Sequence, residues 1–351
     1  MKYSLFDWMS FVSMLRSVFS VLVFALLFCR GPIAWAAVGL SLESLRSSVL
    51  FEHVRSIKAA QHSDHLSLVN KLVAPAKNDT EKAWLVYRWV THNFRHDNRL
   101  AVRVGKPEQH ALNDLIRLAG GSCEVYAHVT SELLRAAGLE TKVVKGRAKS
   151  GFAPVGAQGI NHVWNLVNVD GQWWVMDPTW GAGYVASGRF HREPSDLFFL
   201  MSPELSTLSH YDPQDTLGAQ LAQQLTSRQF SGLPDGAIYL AALGISPADI
   251  HAQFKMDSRA GLVETFNQAA GDLRLRKVPI SRRLPKTPQV FQIESSAFEE
   301  LVLVQGRRWV PMSKTGRLYH IEFKPASGEL LVMGRRPKQS EFEAILAYEV
   351  R

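Results

Sequence analysis

Asp170-Gly171 sits between two short apolar runs, one carrying Val163, Asn165, Val167 and Val169, the other spanning Gln172 to Met176. A two-residue Asp-Gly connection tolerates positive φ at both turn positions and matches the twist of antiparallel strands, so the segment is expected to be a hairpin. A hairpin fixes which residues stand side by side. This one brings His162, at the start of the first strand, beside Asp177, which closes the second strand 15 residues later. A carboxylate beside an imidazole fixes the ring's tautomer, and the imidazole then moves a proton for a nucleophile.

The nucleophile is expected at Cys123, 39 residues before His162. It follows Gly120-Gly121-Ser122 and opens a segment, Glu124 to Ala137, in which Val125, Val129, Leu133 and Leu134 recur at helical spacing before Gly138. Cys123 therefore stands at a helix N-terminus, where unpaired N–H groups and the helix dipole favour an anion and hence the attacking thiolate. Singly, each residue has a plainer reading: an inert buried cysteine, a structural strand histidine, an Asp-Pro turn. Their order, spacing and setting together make Cys123, His162 and Asp177 a candidate catalytic triad.

The stretches that carry these residues are Gly120-Gly121-Ser122-Cys123-Glu124-Val125-Tyr126-Ala127, Asn161-His162-Val163-Trp164-Asn165 and Trp174-Val175-Met176-Asp177-Pro178-Thr179-Trp180. They resemble the transglutaminase-like cysteine superfamily, in particular its kyphoscoliosis-peptidase type. That type is matched further by Trp180-Gly181-Ala182-Gly183-Tyr184, Phe198-Phe199-Leu200-Met201-Ser202-Pro203-Glu204 and His210-Tyr211-Asp212-Pro213. The resemblance covers roughly residues 68 to 225. It implies an α+β fold of transglutaminase-like (papain-like) type, with helices packed on an antiparallel sheet. One departure is Glu124-Val125, where the family often has a small residue before the tyrosine; an acidic neighbour opposes a thiolate. Such a triad works by acyl transfer through a thioester on a peptide or side-chain amide. It requires no cofactor and no metal, and water is the more abundant acceptor than an amine. The competing reading is an idle scaffold that uses the fold to hold envelope partners.

A length of 351 residues allows about two domains. The first 36 residues place Lys2 and Arg16 ahead of a short apolar run, Val18 to Cys29, which is followed by Ala34-Trp35-Ala36. That run is short for a membrane span and right for a signal peptide cut after Ala36, with export to the periplasm or cell envelope. The alternative is an uncleaved anchor. Cleavage removes Cys29 and leaves Cys123 as the one thiol, so no internal disulfide can form. The catalytic domain is expected over 37–230 and a linker over 231–257, where Gly232, Pro234, Gly236, Gly244 and Pro247 interrupt short apolar pieces. Over 258–351 seven short alternating runs predict a small β-sandwich of immunoglobulin-like type.

Asn78 to Thr80 supplies helix caps, and Ala83, Val86, Tyr87, Val90 and Phe94 line one face of a helix from about Glu81 to Asn93. Helical cover is expected over Leu42 to Leu72, with His62 and His65 as a solvated end and not a metal site. Arg95 to Glu108 reads as an exposed loop, with His92, His96 and His110 structural or at the surface. Lys145 to Gly159 reads as a flap, and Trp164 and Trp180 as candidate walls of the substrate groove. The net charge of +8 is uneven: residues 272–351 hold 15 Lys and Arg against 9 Asp and Glu, with pairs at Arg282-Arg283, Arg307-Arg308 and Arg335-Arg336. That module is expected to tether the protein to an acidic envelope surface, and export argues against nucleic acid as a partner.

Overall fold

The helix Asp79–Asn93 lies at the centre of the N-terminal half. Asn78 caps it by accepting from the Glu81 amide at 2.8 Å. The expected stripe is buried, but so are Trp84, Leu85 and Trp89 on its other sides. The helix is enclosed because Val49–Ser56, His65–Val73 and the cysteine helix Cys123–Ala136 all pack around it. Each such buried side chain contributes about 1.5–3 kcal/mol. These elements come from a computed structural model that describes residues 45, 49–59, 64–149, 159–214, 216, 225–256, 261–266 and 272–351. The expected signal segment, Cys29, His62 and residues 150–158 of the expected flap lie outside those residues, and Lys145 to Ala148 of that flap are instead the end of the strand Thr141–Ala148.

The cysteine helix rests on a four-stranded antiparallel sheet in the order Gln172–Met176, His162–Val169, Thr141–Ala148 and His210–Tyr211. The predicted hairpin is present, with Asn165 opposite Met176. Asp170 (φ 53°) and Gly171 (φ 78°) both take the left-handed conformation that its turn demands. The histidine strand does not alternate in burial, for it is covered on both faces. The cysteine helix covers one face, while Trp164 and Leu166 on the other join a cluster that includes Ala237, Ile238 and Leu240.

That cluster changes the reading of 231–257. The expected linker is helical, as Ser227–Gly232, Ala237–Ala242 and Pro247–Met256. Its glycines and prolines punctuate helix ends: Gly236 is an N-cap at φ 83°, and Pro247 opens the third helix. The short apolar pieces between them are packing surface, and residues 49–351 form one compact unit. Arg95 to Glu108 is likewise ordered and not an open loop. Arg95–His96 pairs in parallel with Gly120–Gly121, and Asp97 caps the helix Asn98–Val104 by accepting from Arg99 and Leu100.

The C-terminal module has two sheets. One runs Arg274–Lys277, Gln289–Glu294, Leu318–Phe323, Ser313–Thr315; the other runs Arg283–Leu284, Phe342–Val350, Gly328–Arg335, Glu300–Gln305, Arg308–Pro311. Phe291, Ile293 and Tyr319 of the first share a core with Leu301, Leu303, Leu330 and Val332 of the second, as a β-sandwich requires. Among the described residues no helix is long and apolar enough to cross a membrane.

Candidate active site

Gly120 and Gly121 set the position of Cys123. A side chain at Gly120 would meet the Arg95 carbonyl at 2.8 Å, and one at Gly121 (φ 148°) would meet Val125 at 2.7 Å. Only glycine lets the chain pass this close to the Arg95–His96 strand and turn into the helix. Cys123 is the first helical residue and is partly exposed; Ser122, the N-cap residue, makes no side-chain cap bond. The thiol thus stands at the helix start, whose first N–H groups take no side-chain cap from Ser122.

The histidine strand is fastened to its neighbours by asparagines. Asn165 Nδ2 donates to the Ala127 carbonyl of the cysteine helix at 2.9 Å. Asn161 exchanges hydrogen bonds with the backbone of Ala148 at 2.8 and 3.2 Å, pinning the strand just before His162. His162 Nε2 donates to Asp177 Oδ2 at 2.7 Å. Its Nδ1 is the nitrogen left for Cys123, whose side chain is near enough to act on the ring's protonation. The structure therefore brings Cys123, His162 and Asp177 together.

Asp177 is fully buried and accepts four hydrogen bonds. Its Oδ1 accepts from the amides of Thr179 (2.9 Å) and Trp180 (3.2 Å), capping the short helix Pro178–Ala182. Its Oδ2 accepts from His162 and also from His210 Nε2 at 3.2 Å. Burial opposes its charge, but the charge and hydrogen bond of His162, with the hydrogen bond from His210, prevail and hold the carboxyl below the usual range. Burial alone would lower His162; the charge and hydrogen bond of Asp177, helped by Cys123, raise it well above the ordinary imidazole value. The pair is thus an imidazolium facing a carboxylate. Trp180, half-buried, stacks on His162 with centroids 4.7 Å apart and planes 18° apart, an arrangement that favours the cationic ring.

Trp164 keeps 2% of its surface exposed, so of the two groove tryptophans it is buried while Trp180 borders the site. Trp164 instead lines a cavity of about 460 Å³ together with His210 and Phe230. Glu124 is paired with Lys145 at 3.1 Å, so the acidic neighbour of the thiol is countered. His96 is partly buried and lowered, chiefly by burial and then by the charge of His162. His65 is bound to Asn113, and His110 Nε2 faces the Val104 carbonyl at 2.7 Å. His92 approaches Lys58 at 3.3 Å. Ligand atoms of His162, Asp177 and His210 lie within 4.8 Å of one another, the one such group among the described residues able to hold a metal. Hydrogen bonds to Asp177 Oδ2 account for that closeness.

Sequence reasoning missed His210. It was legible only as part of the His210-Tyr211-Asp212-Pro213 resemblance, because its place beside Asp177 depends on the pairing of Ala148 with His210 across the sheet.

Residues 66–178, which contain Cys123, His162 and Asp177, match the Transglutaminase-like superfamily. The chain is similar to kyphoscoliosis peptidase of Mus musculus, 28% identical over 169 residues, covering 46% of this chain and 25% of that protein. The Homo sapiens counterpart is 29% identical over 170 residues with the same two coverages, and Hillarin of Drosophila melanogaster is 27% identical over 201 residues, 51% of this chain and 23% of that one. The chain thus spans about a quarter of the length of the curated relatives it matches.

Proposed function

We propose that the protein is an exported cysteine acyl-transfer enzyme that acts on peptide or side-chain amides. The supporting observation is His162, bonded to Asp177 through one ring nitrogen and presenting the other to a cysteine at a helix start. The thiolate of Cys123 attacks the amide carbonyl carbon, and the developing oxyanion is met by the Cys123 amide N–H. The C–N bond breaks, the amine leaves with the proton of His162 Nδ1, and a thioester remains. Water then attacks, giving a proton back to His162; the carboxylic acid departs and the thiolate is restored. An amine in place of water would give transamidation by the same residues. Hydrolysis is favoured because water is the abundant acceptor.

Export rests on the Ala34-Trp35-Ala36 pattern and would place the protein in the periplasm or cell envelope, its mature chain beginning at Ala37. Tethering to an acidic envelope surface is narrowed by the ion pairs of the C-terminal module. Arg282, Arg283, Arg335 and Arg336 are engaged with Glu264, Glu349, Glu299, Glu300 and Glu343. Arg307-Arg308, beside the half-exposed Trp309, is the basic pair that fits a tether best. The pairing of Glu124 with Lys145 weakens the ground for an idle scaffold. The test is an assay with amide donor peptides, with and without excess lysine-like amine. Released acid from wild type and none from Cys123→Ala would support a hydrolase; mainly cross-linked product would make it a transamidase; no turnover of any donor would favour the scaffold.

A further inference from the structure

Asp177 Oδ2 receives one more donor than a triad needs. The extra donor, His210, is 5% exposed, and its Nδ1 lies 2.8 Å from the hydroxyl of the fully buried Ser209. Its ring is held edge-on by Trp164 (4.8 Å) and lies 4.9 Å from Trp180, while its backbone is fixed against Ala148. Only one tautomer suits these contacts. If Nε2 carried no proton, its lone pair would face the ionised Oδ2 at 3.2 Å, acceptor against acceptor. So Nε2–H donates to Asp177, and Nδ1 accepts the Ser209 O–H.

We propose that Ser209 and His210 are positioning residues that hold Asp177 as the anion facing His162. This rests on the triad reading above. Burial also keeps His210 below its ordinary value and hence uncharged. That matters because its ring centroid lies 5.9 Å from that of His162. A second cation there would drive the proton off His162; a neutral N–H dipole stabilises the carboxylate without doing so. The titratable groups facing the pair are Asp177 and His162, with Cys123 and His96 acting on His162. When a buried carboxylate loses a donor its proton affinity rises. The proton shared between Asp177 and His162 then shifts toward the carboxylate, and the resulting neutral pair no longer supports a thiolate at Cys123.

The experiment is the rate of Cys123 alkylation by iodoacetamide from pH 4 to 9 in the full chain, for wild type, His210→Phe, His210→Gln and Ser209→Ala, with thermal melts in parallel. A hydrogen bond to a charged group supports a loss of about tenfold for His210→Phe at mildly acidic pH, shrinking toward pH 9 where an ordinary thiol ionises unaided. His210→Gln keeps an N–H donor and should recover most of the rate, with Ser209→Ala between the two. A His210→Phe profile superposed on wild type would overturn the proposal, as would a loss equal at every pH and unrescued by His210→Gln. If His210→Phe does not fold, the Gln and Ala variants decide: both matching wild type would refute it. An ordinary thiol profile in wild type, unchanged by His162→Ala, would instead show that the triad reading itself had failed.

Discussion

Asp177→Asn removes one negative charge from a site with no exposed surface. The amide oxygen can keep the bonds from Thr179 and Trp180, but the new NH₂ then points at the Nε2 atoms of both imidazoles, donor against donor. Breaking a buried pair in this way costs about 3–5 kcal/mol. For the unit of residues 49–351 the unfolding entropy makes each kcal/mol worth about 1.6 °C of Tm, so a drop of roughly 5–8 °C is expected at pH 5 to 6. The pH dependence carries the sharper test. Asp177 is depressed below its ordinary value of 3.8, so its contribution is present above that pH and lost as pH falls below it. His162 is raised above 6.5, so its contribution is complete below 6.5 and declines as pH rises from there through the folded-state value. The difference in Tm between wild type and Asp177→Asn should therefore peak between about pH 4 and 6.5 and narrow on both sides. Melts followed by far-UV circular dichroism across pH 3.5 to 9.5 measure it. A difference that stays flat, or that widens above pH 7, would refute the ion-pair account.

Asn165→Ala removes the donor that ties the histidine strand to the Ala127 carbonyl of the cysteine helix and should cost about 0.5–1.5 kcal/mol in denaturant unfolding, while also slowing Cys123 alkylation by loosening the helix against the strand. Gly121→Ala forces a Cβ to within 2.7 Å of Val125 at φ 148°; a lower Tm together with slower alkylation is expected, whereas a wild-type profile would refute the close approach. Lys145→Ala leaves Glu124 uncompensated beside the thiol, so alkylation at low salt should slow by about twofold to threefold, with the rate restored by adding Glu124→Gln. Binding to anionic vesicles should fall steeply with salt and weaken in Arg307→Ala/Arg308→Ala; salt-independent binding would remove the tether.

The hairpin was legible because Asp170-Gly171 is a local signal and its turn forces the register that follows. The cysteine helix and the C-terminal strands were legible for the same reason, their periodicity being written in neighbouring residues. What escaped is what long-range packing decides. The helices of 227–256 are six to ten residues long, too short to show a period, and their Gly and Pro end helices as readily as they open loops. Trp164 looked like a groove residue from its place beside His162, but the opposite face of its strand is covered by those same helices. His210 stands 33 residues beyond Asp177 in the chain and reaches it only through sheet pairing, so no local spacing could announce the contact.

The central claim, an acyl intermediate on Cys123, is tested most directly by intact and peptide-level mass spectrometry after brief exposure to an activated acyl ester at mildly acidic pH. A single acyl adduct on Cys123 is expected in wild type, released by hydroxylamine, absent from Cys123→Ala and much slower to form in His162→Ala. Wild type without an adduct at Cys123, or one that forms equally fast without His162, would contradict it.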